Sequence, residues 1–281
     1  MATLYIVATP IGNLEDLSPR AARTLREADV IAAEDTRRAA KLLAHLGLSK
    51  PVESFHGDSG PVKVERILRL LRDGKSVALV SDAGVPTISD PGSDLVAAAV
   101  AEGIRIEPIP GPSAIPTALS VSGFNADRFV FAGYPPRKAG ERREFLATLL
   151  AEPRTVALYE APHRIRETLA DMDIVLGPRR VVIGRELTKL HEEILRGTAA
   201  ELAAHFAENE PLGEFVVVIE GAVVEAEVGE DRPEIALAAE KLAHAGVTAR
   251  EAAAIIMLLT GLKKNRAYEI ALAARKTIAP E

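Results

Sequence analysis

The stretch Ser76-Val-Ala-Leu-Val-Ser-Asp-Ala-Gly-Val-Pro-Thr-Ile-Ser-Asp-Pro-Gly92 joins a short apolar run to a turn rich in Gly, Pro and small polar residues. An apolar run of this length, bounded by turn residues, predicts a buried strand. Gly and Pro fix unusual backbone angles, and Gly lets a ligand approach the main chain. Asp82 and Asp90 flank the loop, which suits a ligand with hydroxyl groups and a cationic centre.

The same arrangement recurs where three other predicted strands end. The turns Thr9-Pro-Ile-Gly-Asn13, Glu34-Asp-Thr-Arg37 and Pro110-Gly-Pro-Ser-Ala114 each follow an apolar run. Helical windows separate these runs, which predicts a parallel sheet covered on both faces. The carboxyl ends of such strands line the ligand crevice of open α/β sheets. On these grounds alone, the sequence predicts a site for a small polar ligand at one sheet edge.

Residues 1–122 are predicted to form this first α/β domain. Ser18 is expected to cap its first helix, with Pro19 at the first helical position. The predicted strands are Thr3–Thr9, Val30–Ala33, Ser76–Val80 and Ile104–Ile109, and the predicted helices are Pro19–Ala28, Arg37–Leu46, Val62–Arg72, Asp94–Ala101 and Ser113–Val121.

Residues 123–222 are predicted to form a second α/β domain with a mixed sheet, because the pattern resets at Ser122-Gly-Phe-Asn-Ala-Asp127. Its predicted strands are Arg128–Gly133, Thr155–Tyr159, Val181–Arg185, Ile194–Arg196 and Glu214–Glu220, and its predicted helices are Glu141–Leu150, Arg164–Asp173 and Ala199–Ala207.

Residues 223–281 are predicted to be a linker and a small helical appendage. Val223–Asp231 is acidic and patternless, which is typical of a linker. Thr248-Ala-Arg-Glu251 is a capping box, and Asp231 with Glu234 resembles another. The helices expected here are Pro233–Ala245, Arg250–Gly261 and Arg266–Arg275.

Composition excludes several classes of protein. The chain has no Cys, which excludes disulfides and thiolate zinc sites, and its six His show no ligand spacing. No signal peptide is expected from the N-terminal residues, and no apolar run approaches the roughly 20 residues that span a bilayer. A soluble, cytoplasmic protein is therefore expected. Only one Gly follows the first strand, at Gly12, so the dinucleotide fingerprint of a nicotinamide oxidoreductase is missing.

A net charge of −6 argues against a general nucleic-acid binder, since phosphate contacts need cations. The cations are clustered, however, and the clusters have two interpretations. They form a local basic face on an acidic protein, or they lie on solvated helix faces balanced by nearby carboxylates. The clusters are Arg37, Arg38 and Lys41; Arg137, Lys138, Arg142 and Arg143; Arg164 and Arg166; and Lys263, Lys264 and Arg266.

Seven blocks of sequence, in order, resemble the tetrapyrrole-methylase-like superfamily. They are Thr9-Pro-Ile-Gly-Asn-Leu-Glu-Asp-Leu17, Ala33-Glu-Asp-Thr-Arg37, Ser81–Gly92, Pro108-Ile-Pro-Gly-Pro-Ser-Ala114, Phe131-Ala-Gly-Tyr-Pro-Pro136, Tyr159-Glu-Ala-Pro-His-Arg164 and Arg185-Glu-Leu-Thr-Lys189. Together they are similar to the members that 2′-O-methylate a cytidine in the decoding region of small-subunit (16S) ribosomal RNA. One block departs from that pattern: Phe55-His-Gly-Asp-Ser-Gly60 lacks the Asn-Glu pair expected after Phe-His.

The resemblance implies two α/β domains with S-adenosylmethionine in the cleft between them, and a homodimer. It further implies, residue by residue, a set of cofactor contacts from both domains. These are Pro10, Gly12, Asp82, Ala83, Gly84, Val85, Pro86, Ile88, Ser113, Ala114, Glu160, Pro162, Thr188 and Gly213.

A weakly acidic ribose hydroxyl is a better nucleophile beside a positioned base. Glu34 and Asp35, at the end of a strand, are the first candidates, and the alternative for Asp35 is the N-cap of the next helix. His56, Glu186 and Lys189 are further candidates near the cleft, as is Glu160.

The implied partner is small-subunit ribosomal RNA or the assembled 30S subunit. Six cations are expected near the cleft mouth, where phosphates would pass, and reversing Arg142 and Arg143 is expected to weaken RNA binding. The six are Arg37, Arg137, Lys138, Arg142, Arg143 and Arg164. The alternatives are a corrinoid or porphyrin methylase of the same superfamily and a nonenzymatic ribosome-assembly factor that keeps the fold.

Overall fold

The computed structural model describes residues 2–57, 60–222 and 233–278. Residues up to Ala222 form one compact unit, and a second unit follows, described from Pro233 onward. Within the described residues, each predicted strand and helix is present with its ends within a few residues of expectation. No described helix is both long and apolar enough to cross a membrane.

The first sheet is entirely parallel, which confirms the prediction. Its strands are β1 (Thr3–Val7), β2 (Val30–Ala33), β3 (Val52–Ser54), β4 (Val77–Val80) and β5 (Arg105–Ile109), in the order β3-β2-β4-β1-β5. Strand β3 was not predicted. It lies at the sheet edge and is three residues long, with Val52 as its single apolar side chain.

Helices cover both faces of this sheet. They are α1 (Pro19–Glu27), α2 (Thr36–His45), α3 (Gly60–Arg72) and α4 (Ser93–Ala101); a fifth helix of this half, α5 (Ala114–Ser122), packs elsewhere. The Ser18 side chain accepts a hydrogen bond from the Ala21 N–H and so caps α1, as predicted. Helices α1 and α2 pack on one face, and α3 and α4 pack on the other.

The second sheet is mixed, as predicted. Its strands are β6 (Phe129–Phe131), β7 (Thr155–Glu160), β8 (Arg180–Arg185), β9 (Glu193–Thr198) and β10 (Phe215–Ile219), in the order β6-β7-β10-β8-β9. Only β6 and β7 pair in parallel. Helices α6 (Ala139–Thr148), α7 (Ile165–Leu176) and α8 (Ala199–Glu208) pack on one face of this sheet.

Helix α5 packs on the other face of the second sheet. Its Ile115, Ala118 and Leu119 share a buried cluster with Val216 and Val218 of β10. An element that belongs to the first half by sequence therefore completes the core of the second. This shared core explains why residues 2–222 form one compact unit, and the division into domains at residue 122 stays a proposal.

The C-terminal unit contains helices α9 (Pro233–His244), α10 (Ala249–Thr260) and α11 (Lys264–Ile278). Thr248 and Glu251 form the predicted capping box at the start of α10. The core of this C-terminal unit is made largely of Ala side chains together with Ile256 and Leu262. The predicted linker Val223–Asp231 and the predicted Asp231 cap lie outside the described residues, as do Asp58 and Ser59 of the departing block.

Candidate active site

A cavity of about 380 Å³ lies where the strands of the first sheet end and meet the second sheet. Five of the segments that line it were singled out in the sequence: the loop after β4, the turns after β2 and β5, the end of β7, and the segment that leads into the start of β10. The predicted site residues that line it are Glu34, Asp82, Ala83, Gly84, Val85, Ile88, Ser113, Ala114, Glu160 and Pro162.

Five predicted cofactor residues do not line this cavity. Pro10 and Gly12 line a neighbouring groove instead. The other three, Pro86, Thr188 and Gly213, line neither the cavity nor the groove, although the loops that contain them border these two spaces. A Cβ atom at Gly12 would collide with Lys189 Cγ and lie 3.1 Å from the Leu187 carbonyl oxygen, so this turn needs Gly for the loop 186–189 to approach it.

The loop after β4 is fastened to the turn after β1. The Thr9 N–H donates to the Gly84 carbonyl over 2.8 Å, and the Gly84 N–H donates back to Thr9 over 3.0 Å. The Thr9 hydroxyl also donates to the Ser81 carbonyl over 3.1 Å. Two adjacent strand ends are thereby held in register, with the small side chains of the loop facing the cavity.

Backbone strain concentrates in two loops at this site. Thr87, Ser89, Glu186 and Thr188 are the non-Gly residues with positive φ among the described residues, at 76°, 60°, 50° and 66°. Such conformations cost of order 1–3 kcal/mol each and persist where the surroundings enforce them, commonly at ligand-binding sites. The Thr188 hydroxyl accepts a hydrogen bond from the Asn13 N–H over 3.1 Å, which joins the second loop to the first half.

The cavity wall is strongly acidic. Arg38 is the one cation among its described lining residues, against the carboxylates of Glu34, Asp82, Asp90, Glu160 and Glu214. Burial raises the pKa of Asp90 to about 6, and the charges of Glu34 and Asp82 add to the shift. Burial, followed by the charge of Asp82, also raises the pKa of Glu34. These carboxylates repel one another, so the cavity favours a cationic ligand.

The structure separates the roles of Glu34 and Asp35. The Asp35 side chain accepts a hydrogen bond from the Arg37 N–H over 2.7 Å and caps α2, and this bond lowers its pKa. Asp35 does not line the cavity, whereas Glu34 does. The structure therefore favours the alternative for Asp35, the N-cap of α2, and leaves Glu34 as the candidate of the pair that faces the cavity.

Two tyrosines that sequence reasoning missed form an aromatic wall. Tyr134 and Tyr159 both line the cavity, with ring centroids 5.4 Å apart. Burial raises the pKa of Tyr159 to about 12, so its phenol is neutral at physiological pH. Tyr134 follows the end of β6, and this strand-end position was the available signal. Ile11, Gly184, Leu187, Phe215 and Val216 were missed as well.

Arg142 does not reach the surface, which corrects its assignment to RNA binding. Its side chain is 2% exposed, and its Nε donates to Asp171 Oδ2 over 2.7 Å. Arg143 donates to the other Asp171 oxygen over 2.6 Å but is 52% exposed. Arg142 is thus part of a buried ion pair that joins α6 to α7.

Arg164 also has a structural role in place of the predicted RNA contact. Its side chain is 12% exposed and donates to the carbonyls of Pro135 and Pro136 over 2.5 and 3.0 Å. It thereby holds the loop that carries Tyr134 against the cavity. The other predicted cations, Arg37, Arg137, Lys138 and Arg143, are exposed.

The family model and the similar curated proteins that match this chain are all methylases. A family model described as Tetrapyrrole (Corrin/Porphyrin) Methylases matches residues 3–203. Ribosomal RNA small subunit methyltransferase I of Xylella fastidiosa (strain Temecula1) is 48% identical over 271 residues, which cover 95% of this chain and 97% of that protein. The Pseudomonas aeruginosa protein of the same name is 46% identical over 276 residues, 96% of each chain.

Solved structures share the fold at low sequence identity. A cobalt precorrin-4 methyltransferase from cobalamin biosynthesis superposes with a TM-score of 0.60 at 20% identity, covering 78% of this chain and 94% of that one. Uroporphyrin-III C-methyltransferase from Thermus thermophilus gives 0.56 at 21% identity, covering 82% and 98%. The chain therefore belongs to the tetrapyrrole (corrin/porphyrin) methylase family and is a methyltransferase.

Proposed function

We propose that this protein transfers a methyl group from S-adenosylmethionine to the 2′-oxygen of a cytidine in small-subunit (16S) ribosomal RNA. The observation that carries the proposal is the acidic, aromatic-walled cavity in a chain whose relatives are named ribosomal RNA small subunit methyltransferase I. The resemblance carried by the seven sequence blocks also supports a homodimer, and a cytoplasmic location fits an enzyme that acts on ribosomal RNA.

The residues of the cavity fit S-adenosylmethionine. This donor carries a sulfonium, an ammonium, ribose hydroxyls and a purine ring. The carboxylates of Asp82 and Asp90 suit the cationic and hydroxyl groups, and Tyr134 and Tyr159 offer aromatic faces to the ring. A volume of about 380 Å³ lies in the range of roughly 300–1,000 Å³ typical of small-molecule sites.

When bound, the donor supplies an electrophilic methyl group with a neutral leaving group, so the main task of the protein is alignment of the acceptor. Glu34 is the proposed proton acceptor for the ribose hydroxyl. Its raised pKa makes it a stronger base than an exposed Glu. The exposed cations Arg37, Arg137, Lys138 and Arg143 are proposed contacts for RNA phosphates.

Asp90→Asn is expected to weaken S-adenosylmethionine binding about tenfold and to weaken S-adenosylhomocysteine binding much less. The two ligands differ at sulfur, where only the first carries a positive charge. Isothermal titration calorimetry with both ligands measures the difference. An equal loss for both, or none for either, would show that Asp90 does not face the sulfonium.

Asp90 also gives donor binding a pH dependence. Because its pKa is raised to about 6, the carboxylate is ionised above that pH and becomes neutral below it. The preference for S-adenosylmethionine over S-adenosylhomocysteine is therefore expected to fall as the pH drops from 7.5 to 5. In Asp90→Asn this fall should be absent, which separates Asp90 from other titrating groups.

Incubation with methyl-labelled S-adenosylmethionine tests the proposed function. The acceptors are undermodified 30S subunits, free small-subunit RNA, and uroporphyrinogen as the small-molecule alternative. Label in RNA or in 30S subunits is expected, and its distribution identifies the form that is methylated. Label in uroporphyrinogen alone, or in no acceptor, would overturn the proposal.

A further inference from the structure

A groove of about 340 Å³ adjoins the cavity along helix α2; it is called the α2 groove here. It is lined by the turn after β1, by one face of α2 and by Lys189. The residues that line both the groove and the cavity are Ile11, Arg38, Asp82, Ala83 and Glu214. The same residues thus face the donor cavity on one side and the groove on the other.

The α2 groove has an apolar floor. Its lining includes Leu14, Leu42 and Val80, and Leu14 is 43% exposed. An exposed Leu beside buried apolar side chains provides a surface on which a flat, weakly polar ring can pack. The lining of the donor cavity, by contrast, includes five carboxylates and two phenols.

The rim of the α2 groove is cationic. Arg38 and Lys41 lie three residues apart on α2 and so share a face of the helix. Arg38 is 57% exposed and lies 3.5 Å from Asp82, whereas exposed Lys41 makes no ion pair with any residue the structure describes. Lys189 is held by Glu186 and Glu214 over 2.7 and 3.0 Å.

The groove is therefore negatively charged on the side next to the donor cavity and positively charged at Lys41. The two carboxylates that line it are Asp82 and Glu214, and both also line the donor cavity. Lys41 lines the groove but not the cavity. A nucleotide has the matching order of groups: a flat base, hydroxyls on the ribose, and phosphates on either side. Phosphates are attracted to Lys41 and Arg38, and hydroxyls can donate to the carboxylates.

We propose that the α2 groove receives the target nucleotide of the RNA, with its base on the apolar floor and a flanking phosphate on Lys41. This inference rests on the proposed function. Transfer to a ribose oxygen needs that oxygen about 3–3.5 Å from the methyl carbon, and the α2 groove is the space that adjoins the donor cavity through five shared lining residues. A base enters such a site only when it is unpaired or rotated out of its stack.

Lys41→Glu tests the groove, with Arg69→Glu as the matched control. Arg69 is an exposed cation on α3, which packs on the opposite face of the first sheet, and it lines neither space. In Lys41→Glu the Kd for 16S RNA without donor and the KM for 16S RNA are expected to rise about tenfold. Lys41→Gln should give a smaller rise in the same direction.

The salt dependence of RNA binding identifies the contact as a phosphate. Loss of one phosphate contact lowers the slope of log Kd against log salt by roughly 0.7–0.9, and this decrease is expected for Lys41→Gln. The Kd for S-adenosylhomocysteine should stay unchanged, since Lys41 does not line the donor cavity. An unchanged slope and KM in both Lys41 variants, while the wild-type protein methylates RNA, would overturn the groove assignment but leave the proposed function standing.

A tethered probe locates the nucleotide directly. The chain has no Cys, so Lys41→Cys carries a single thiol to which iron–EDTA can be attached for local cleavage of the RNA backbone. Cleavage is expected within a few nucleotides of the methylated cytidine, and Arg69→Cys should give none there. Cleavage confined to another region would overturn the groove assignment. Absence of methyl transfer by the wild-type protein to any RNA would instead remove the proposed function, and the groove assignment with it.

Discussion

Glu34→Gln is expected to lower kcat for RNA methylation about 100-fold while leaving the Kd for S-adenosylmethionine nearly unchanged. Glu34 lines the cavity at the end of β2, where burial and the charge of Asp82 raise its pKa. Gln keeps the size of the side chain but cannot accept the hydroxyl proton. Single-turnover methyl transfer at saturating RNA and donor measures the chemical step apart from binding.

Asp35→Asn is the matched control for Glu34→Gln. Asp35 is the next carboxylate in the chain, but it caps α2, and Asn is an equally good N-cap. We expect wild-type kcat and stability for this variant. The wild-type rate should also fall at low pH as Glu34 becomes protonated, and this dependence should vanish in Glu34→Gln. A kcat for Glu34→Gln within a few-fold of wild type would contradict the assignment of the base.

Asp171→Ala is expected to lower the free energy of unfolding by about 3–5 kcal/mol, because it removes the buried counter-charge of the Arg142 guanidinium and leaves only the exposed Glu167 carboxylate, 3.3 Å away. Arg142 and Asp171 are 2% and 4% exposed, with Nε and Oδ2 2.7 Å apart. For a unit of this size the melting temperature should fall by roughly 10 °C. Chemical denaturation monitored by circular dichroism measures the change in free energy.

Arg143→Ala is the control for this ion pair. Arg143 bonds the same carboxylate but is 52% exposed, so its removal should change the free energy of unfolding by less than about 1 kcal/mol. Burial tends to raise the pKa of Asp171, but hydrogen bonds from Arg143 and Arg142 outweigh it and lower the pKa. The stabilisation is therefore present above the ordinary Asp value of 3.8 and is lost as the pH falls through the lowered pKa. Equal losses for Asp171→Ala and Arg143→Ala would contradict this account.

Much of the fold could be predicted because its strands are continuous apolar runs between turn residues. The four-residue strand β4, with every side chain buried, is the clearest example. Strand β3 could not be predicted, since an edge strand with one apolar side chain has no usable pattern. The packing of α5 on the second sheet is a long-range contact that periodicity within a segment does not encode.

The candidate site was predictable where a parallel strand ends in a Gly- and Pro-rich turn. Glu34, Asp82 and Ser113 follow from this rule because such ends meet at one edge of the sheet. In the second, largely antiparallel sheet the rule fails, since neighbouring strands run in opposite directions and Phe215 enters the site from the start of β10. Arg142 was misjudged because its partner Asp171 is 29 residues away in the chain.

The position of the transferred methyl group decides whether this protein is a cytidine 2′-O-methyltransferase. After reaction of the wild-type protein with undermodified 30S subunits and labelled S-adenosylmethionine, the RNA is digested to nucleosides and analysed by mass spectrometry. One labelled product is expected, 2′-O-methylcytidine, from a single site in the decoding region. Label on a base carbon or nitrogen, on another nucleoside, or in no nucleoside would contradict it.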